Sequence, residues 1–76
     1  MEQELMEQEM TYLLNGLGVE TDIVLFSDKD IYIELSDDKS IRIPWPDAEA
    51  RNVLMNDKKG LALFMLAGLV VALLRP

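Results

Sequence analysis

The spacing of hydrophobic residues near the start of the chain predicts an amphipathic helix over residues 2–14. Apolar positions recur every three or four residues, and glutamates and glutamines occupy most of the others. The apolar positions are Leu5, Met6, Met10, Leu13 and Leu14. Gly16, which follows Asn15, is expected to adopt the left-handed conformation that commonly ends a helix.

Between residues 20 and 45 the period changes to two, which is typical of strands with one buried face. We predict three strands, over residues 21–27, 30–36 and 40–45. The second alternates apolar and polar side chains in IYIEL, and the third alternates them in IRIPW. Short polar connections between the strands favour an antiparallel meander. The first strand, TDIVLFS, is too continuously apolar to reveal its inner face.

Two prolines mark the end of this strand region. Pro44 cannot donate a ladder hydrogen bond, so the third strand is expected at an edge of the sheet. Pro46 suits the first turn of a helix, which we predict over residues 46–56. The residues of this helix expected to face inward are Ala50, Val53 and Leu54. Trp45 is interpreted as a core anchor, with a role at an interface as the alternative.

Residues 61–74, LALFMLAGLVVALL, contain no charged or polar side chain. A helix that is apolar on every side needs apolar cover on every side, and a chain of 76 residues supplies little of it. The helix would be ~21 Å long, shorter than the ~30 Å hydrocarbon core of a bilayer. We therefore expect a second copy of the chain to complete the cover, with a different protein or a membrane surface as the alternatives.

These elements predict one small α+β domain over residues 1–76, in the order α-β-β-β-α-α. The oligomer interface, most simply that of a homodimer, is expected on the last helix, where Gly68 and Ala72 allow another helix to approach closely. The predicted interface comprises Leu61, Phe64, Met65, Gly68, Leu69, Ala72 and Leu73.

The composition narrows the classes of function. The chain has no Cys and no His, which removes thiol chemistry, the commonest general base and the commonest metal ligand. We therefore expect no enzyme activity and no cofactor. The net charge of −7 disfavours direct binding to nucleic acid. The lack of cysteine is typical of a cytoplasmic protein.

Residues 1–60 hold all 14 acidic and six of the seven basic residues, which gives this part a charge of −8. Asp28, Asp30 and Glu34 do not match a calcium loop, because Ile33 and Lys39 stand where that loop needs Gly and Glu. No metal site is expected. An acidic surface could instead attract a basic protein. Its candidate residues are Glu2, Glu4, Glu7, Glu9, Asp28, Asp30, Asp37 and Asp38.

The segment DIYIELSDDKSIRIPW, residues 30–45, resembles the hairpin of a small bacterial family of unknown function, which has the pattern L-S-D-G-R-x-I-x-V-P-L. The matching residues are Leu35, Ser36, Asp37, Ile41, Ile43 and Pro44. Asp38 replaces the turn glycine of that pattern, and the last helix replaces a polar stretch of the family. The resemblance implies an interaction module and supplies no catalytic residue.

The order of elements is also similar to that of small acidic phage inhibitors of CRISPR nucleases, which present carboxylates where DNA phosphates would bind. This likeness concerns topology alone, since no motif is shared. The sequence thus predicts a non-catalytic interaction protein that homo-oligomerises through its last helix. The alternatives are an acidic inhibitor or DNA mimic that binds a basic protein, and a membrane-associated small protein.

Overall fold

The elements follow one another in the predicted order α-β-β-β-α-α, which confirms the α+β class. The structure is a computed structural model that describes residues 2–75. Its helices are α1 (Glu2–Gly16), α2 (Ala48–Met55) and α3 (Lys58–Leu74), and its strands are β1 (Thr21–Phe26), β2 (Asp30–Leu35) and β3 (Ser40–Pro44). Each strand begins where predicted and ends one residue earlier.

Helix α1 ends in a left-handed turn at Gly18, which has a φ of 93°. The Gly18 amide donates to the Asn15 carbonyl at 3.1 Å, and the Val19 amide donates to the Leu14 carbonyl at 2.9 Å. These are the two hydrogen bonds of a Schellman ending with Gly18 at the C′ position. The prediction for Gly16 is therefore wrong, because Gly16 is still helical and the chain turns two residues later.

The three strands form an antiparallel sheet in the order β1-β2-β3, so β3 lies at an edge as predicted. The register shifts between Thr21 and Ile23, and Thr21, Val24 and Phe26 are the buried residues of β1. A bulge of this kind places two residues of one strand opposite a single residue of its partner. Strict alternation is thereby broken in β1, and the sequence pattern could not reveal which face is buried.

Tight hairpins join the strands. In the first, the Ser27 amide donates to the Asp30 carbonyl at 2.9 Å. In the second, the Leu35 amide donates to the Lys39 carbonyl at 2.8 Å, and Asp38 has a φ of 66°. A three-residue connection of this type needs one left-handed residue, which is usually glycine. Asp38 fills that position here, because Asp tolerates the left-handed region better than most residues.

Helices α1 and α3 cover one face of the sheet, with α1 packed on β1 and α3 packed on β3. The core between the layers includes Met10 and Leu14 of α1, whereas Leu5 and Leu13 are exposed, contrary to the predicted inner face. The full set of buried apolar residues is Met10, Leu14, Val24, Phe26, Ile31, Ile33, Leu35, Ile43, Trp45, Leu61, Met65 and Leu69.

Trp45 holds the end of this core, which confirms its prediction as an anchor. Its ring stacks on Phe64 with centroids 6.0 Å apart and planes 4° from parallel, and Phe26 lies at the same centroid distance on a tilted plane. The Trp45 Nε1–H donates to the Ser27 carbonyl at 2.8 Å. The indole is therefore both packed and hydrogen-bonded, as a buried Trp requires.

Side chains of α1 close the outer edge of β1. The Phe26 amide donates to Glu7 Oε2 at 2.7 Å, and Gln3 Nε2 donates to the Phe26 carbonyl at 3.0 Å. The Asn15 side chain binds the Thr21 backbone in the same way. The Thr21 amide donates to Asn15 Oδ1, and Asn15 Nδ2 donates to the Thr21 carbonyl, each at 2.9 Å. The edge backbone groups of both residues are thus occupied, which protects the strand from pairing with another chain.

Aspartates begin both C-terminal helices. Asp47 accepts from the Ala50 amide at 2.7 Å, and Asp57 accepts from the Gly60 amide at 3.1 Å. Such N-caps satisfy amides that have no partner within the helix. Helix α2 packs mainly against α3, and Val53 is exposed. The inward prediction for Val53 is wrong, since a short helix resting on another helix buries only a narrow stripe.

Candidate interaction surface

The inner side of α3 is covered by the chain itself. Leu61, Met65 and Leu69, three residues of the predicted oligomer interface, are buried in the core. Gly68 lies against Ile43 of β3, and a Cβ added there would be 2.6 Å from Ile43 Cδ1. A second copy would therefore have to contact the opposite side of α3. The missing side chain of Gly68 lets α3 approach its own sheet, which replaces the predicted role in a helix crossing between copies.

The other predicted interface residues lie on the flanks of α3. Phe64 is half-buried beneath Trp45, and Ala72 is half-buried on the side of β3. Leu73 is exposed. Of the seven residues predicted for the oligomer interface, Leu73 is thus the one large apolar side chain that is exposed.

An outer face of α3 remains without cover. Leu63, Val70 and Leu74, with Ala67 between them, follow the i, i+4, i+7, i+11 spacing of one helical stripe. Val71 and Leu73 flank this stripe. We call these residues the α3 outer face: Leu63, Ala67, Val70, Val71, Leu73 and Leu74. Its five large side chains are between 54% and 79% exposed.

The energetic cost of this exposure is substantial for a small domain. The exposed fractions of the five large side chains add up to about three fully exposed residues, so covering them would contribute roughly 6 kcal/mol per chain. Single exposed leucines need no explanation, whereas a contiguous apolar stripe is a candidate contact surface.

Charged residues lie at the two ends of α3 and are absent from its outer face. Lys58 and Lys59 lie at the start of the helix and Arg75 follows its end, while residues 60–74 carry no charge. Lys58 Nζ is 2.7 Å from Glu9 Oε2, which joins the start of α3 to α1. Residues 60–74 themselves carry no acidic side chain, so a contact made by this part of α3 alone brings no carboxylates of its own together.

The predicted interface included three residues that the core buries, because the helix is apolar all round. With no polar residue between 61 and 74, its pattern has no signal that separates core from surface. Gly68 was the one residue that could indicate the packed side of α3, since a glycine within a helix suggests the close approach of another element. The approach is to Ile43 in the same chain.

The candidate acidic residues do not form one surface. Asp28 and Asp30 lie at the β1–β2 hairpin, and Asp37 and Asp38 lie at the β2–β3 hairpin. In a meander, successive hairpins occupy opposite ends of the sheet, about 20 Å apart for strands of six residues. Glu4, Glu7 and Glu9 are on α1. The side chain of Glu2 lies outside the described residues.

Several of these carboxylates already have partners within the chain. Glu7 accepts from the Phe26 amide, and Asp30 is 3.5 Å from Arg42. Asp37 is 3.9 Å from Lys39, in a pair exposed to solvent. The dispersion and local pairing weaken the interpretation of these residues as a single contact for a basic protein.

A groove of about 670 Å³ lies between α1 and β1. Glu4, Tyr12, Asp22 and Ile23 are among the residues that line it. It is shallow and open, and the Val24 backbone beneath it is buried, so no strand could pair there. Within residues 2–75 no three acidic side chains converge in a way that would hold a metal ion.

The open face of the sheet carries a small polar and aromatic cluster. The Tyr32 hydroxyl donates to Glu34 Oε2 at 2.9 Å. The Arg42 guanidinium lies 5.0 Å from the centroid of the Tyr32 ring, and its Nη1 is 3.5 Å from Asp30. These contacts partly cover the sheet face opposite the helices, as expected for an antiparallel sheet with one solvated side.

Two further findings concern the helices and the comparison with known proteins. Over residues 2–75, every helix falls short of the length and apolarity needed to cross a membrane. No protein-family model, curated protein or solved structure matches the sequence or the fold. The resemblance of residues 30–45 to a bacterial hairpin family therefore stays a prediction.

Proposed function

We propose that this chain is a non-catalytic interaction module that forms a homodimer through the α3 outer face. The observation that carries the proposal is the stripe formed by Leu63, Val70 and Leu74, which is apolar, exposed and free of charge. A non-catalytic role is supported by the absence of Cys and His from the sequence and by the structural use of carboxylates as caps and ion pairs.

A second copy fits the energetics of this face. Two copies would together contribute roughly 12 kcal/mol of apolar burial. Association costs about 4–15 kcal/mol in lost motion and side-chain freedom. At the low end of that cost the surplus is about 8 kcal/mol, which corresponds to a micromolar dissociation constant. A dimer of moderate affinity therefore requires an association cost near the low end of that range.

The shape of the stripe also suits contact between two identical helices. Ala67 lies at its centre, with Leu63 on one side and Val70 and Leu74 on the other. A small residue between large ones lets two helix backbones approach and their side chains interdigitate. A twofold axis near Ala67 would bring the same residues together from both chains, as an isologous interface requires.

Charge favours this face over the rest of the surface. Two chains of net charge −7 repel one another, and the repulsion is smallest where no acidic side chain is near. We therefore expect the dissociation constant to depend weakly on salt, with a modest tightening as the overall repulsion is screened.

The decisive experiment is the absolute mass by light scattering, without detergent, at loading concentrations from about 1 to 500 µM, which bracket a micromolar constant. We expect the mass to rise with concentration from 8.6 kDa to twice that value. The double variant Leu63→Glu, Val70→Glu should stay at the monomer mass, because it places carboxylates in the apolar contact.

The matched control is Leu5→Glu, which puts a carboxylate at a position that is 58% exposed on α1. This variant should dimerise like the wild type. A wild-type chain that remains monomeric at every concentration would overturn the proposal. A monomeric chain that sediments with phospholipid vesicles, and loses that binding in the double variant, would also overturn it and would identify lipid as the occupant.

A further inference from the structure

The outer edge of β3 has free backbone groups at Arg42. Hydrogen-bonded pairs on either side fix the register: the Leu35 amide donates to the Lys39 carbonyl, and the Trp45 amide donates to the Lys29 carbonyl. Bonded pairs recur every second residue in an antiparallel ladder. Arg42, which lies opposite Tyr32, is therefore in a non-bonded pair, and its N–H and C=O point away from β2.

Within residues 2–75, no turn, cap or ladder hydrogen bond uses these backbone atoms of Arg42. Arg42 is also exposed, in contrast to Val24 at the corresponding place on the β1 edge. Pro44, two residues further on, faces outward in the same way but has no N–H. A partner strand could thus pair with the start and the middle of β3. At the end of β3 it would find no N–H donor, because Pro44 has none.

A groove of about 390 Å³ runs between this edge and the flank of α3. Phe64, Ala67 and Val71 are among its apolar lining residues, and Arg42 and Arg75 are its charged ones. No acidic residue lines it, although acids outnumber bases two to one in the chain. The groove is therefore lined by apolar side chains and two cations, of which Arg42 is also 3.5 Å from Asp30 on the open face of the sheet.

We propose that this groove binds an extended segment of a partner protein that adds to the sheet beside β3, with a glutamate or aspartate placed between two apolar residues. The acidic residue would lie opposite Arg42, on the open face of the sheet, where its carboxylate can pair with the guanidinium. The residues before and after it point to the other face, because side chains alternate along a strand. They would contact Phe64 and Val71.

This mode of recognition combines two sources of affinity and specificity. Hydrogen bonds to the Arg42 backbone hold the added strand, and the groove beside α3 selects its alternate side chains. A second copy of this chain is a poor occupant, because a twofold pairing of two β3 edges centred on Arg42 would place the two guanidinium groups side by side. A segment with an acidic residue opposite Arg42 avoids that repulsion.

The groove shares Ala67 and Val71 with the α3 outer face proposed for dimer formation, so dimer formation would compete with peptide binding. The test is therefore made in the monomeric Leu63→Glu, Val70→Glu background, where its result does not depend on dimer formation. The probe is the capped peptide acetyl-Thr-Val-Glu-Val-Thr-amide. Binding is followed by the amide resonance of Arg42 in a ¹⁵N-labelled sample during titration into the millimolar range.

We expect saturable binding with the largest shifts at Arg42 and the residues around it in β3. Methylation of the backbone nitrogen of the peptide glutamate should weaken binding by about tenfold, since it removes a strand hydrogen bond. Arg42→Gln should weaken binding about threefold, as expected for one exposed ion pair. The matched control, Lys59→Gln, removes the same charge outside the groove and should leave binding unchanged.

Three results would overturn the proposal. The first is the absence of saturable binding. The second is equal binding of the N-methylated peptide, or of an analogue with lysine in place of glutamate. The third is an equal loss in the Lys59→Gln control, which would attribute binding to overall charge. Folding of Arg42→Gln is checked by its urea transition, because Arg42 also contacts Tyr32 and Asp30.

Discussion

The contact between Gly68 of α3 and Ile43 of β3 leads to a quantitative prediction about packing. A Cβ added to Gly68 would lie 2.6 Å from Ile43 Cδ1 and 2.9 Å from both Ile43 Cγ1 and Cγ2. Carbon atoms at optimal separation are about 3.5–4.0 Å apart, so Gly68→Ala must push the helix from the sheet or turn Ile43 from its rotamer. Three atoms are involved, including both that branch from Cβ, so a change at the tip alone does not relieve the contact.

Two opposing terms set the size of the effect. Overpacking a core typically costs about 1–3 kcal/mol. Replacing a glycine in a helix interior by alanine stabilises the folded state by about 1 kcal/mol through helix propensity. We therefore expect Gly68→Ala to lower the free energy of unfolding by about 1 kcal/mol, which corresponds to ~4–8 °C in Tm for a domain of this size.

The matched control is Gly16→Ala. Gly16 is helical, and a Cβ there would meet nothing within 4 Å. This substitution should therefore raise the stability by about 0.5 kcal/mol. The same chemical change thus has opposite expected signs at the two positions, and the difference isolates the contact with Ile43.

Urea unfolding followed by fluorescence provides the assay, because Trp45 is the single tryptophan and is buried. All variants are compared at one protein concentration, since dimer formation would make stability depend on it. In a double-mutant cycle, Ile43→Val removes Cδ1 and should reduce the cost of Gly68→Ala. A Gly68→Ala variant that gains as much stability as Gly16→Ala would refute the packing argument.

Two further predictions concern the left-handed residues. Asp38→Gly should raise the free energy of unfolding by about 0.5 kcal/mol, because it relieves the positive φ of 66°. The neighbouring Asp37→Gly should lower it, and equal effects of the two substitutions in thermal unfolding would contradict the role of backbone conformation. Gly18→Ala should lower the stability by ~1–2 kcal/mol in the same measurement, because Gly18 has a φ of 93° at the end of α1, and an unchanged Tm would contradict the Schellman assignment.

Much of the fold could be predicted because the hydrophobic period changes where the structure changes. The alternation in β2 and β3 identified their inner residues, Ile31, Ile33 and Ile43, which are buried. The prolines marked the step from sheet to helix, but the prediction of Pro46 in the first turn is wrong, because Asp47 is the N-cap and α2 begins at Ala48. The buried face of β1 could not be predicted, since the bulge at its start depends on pairing with β2.

The candidate site was harder to predict because it depends on which side of α3 meets the sheet. A helix with uniform apolar composition has no internal signal for this choice, and the close approach of Gly68 to Ile43 decides it. The free edge at Arg42 depends on the register of the ladder, which follows from the hairpin geometry around Asp38. Both features arise from contacts between elements, which local sequence patterns do not encode.

The closure of β1 by Gln3, Glu7 and Asn15 gives the sheet one usable edge, and this limits how the protein can assemble. A fibril grows because each added molecule offers a fresh edge to the next one. Here any strand that joins β3 would meet a sheet whose far side is already blocked. Extension through the native sheet therefore stops after a single addition, and this fold cannot propagate a filament by strand pairing while α1 stays in place.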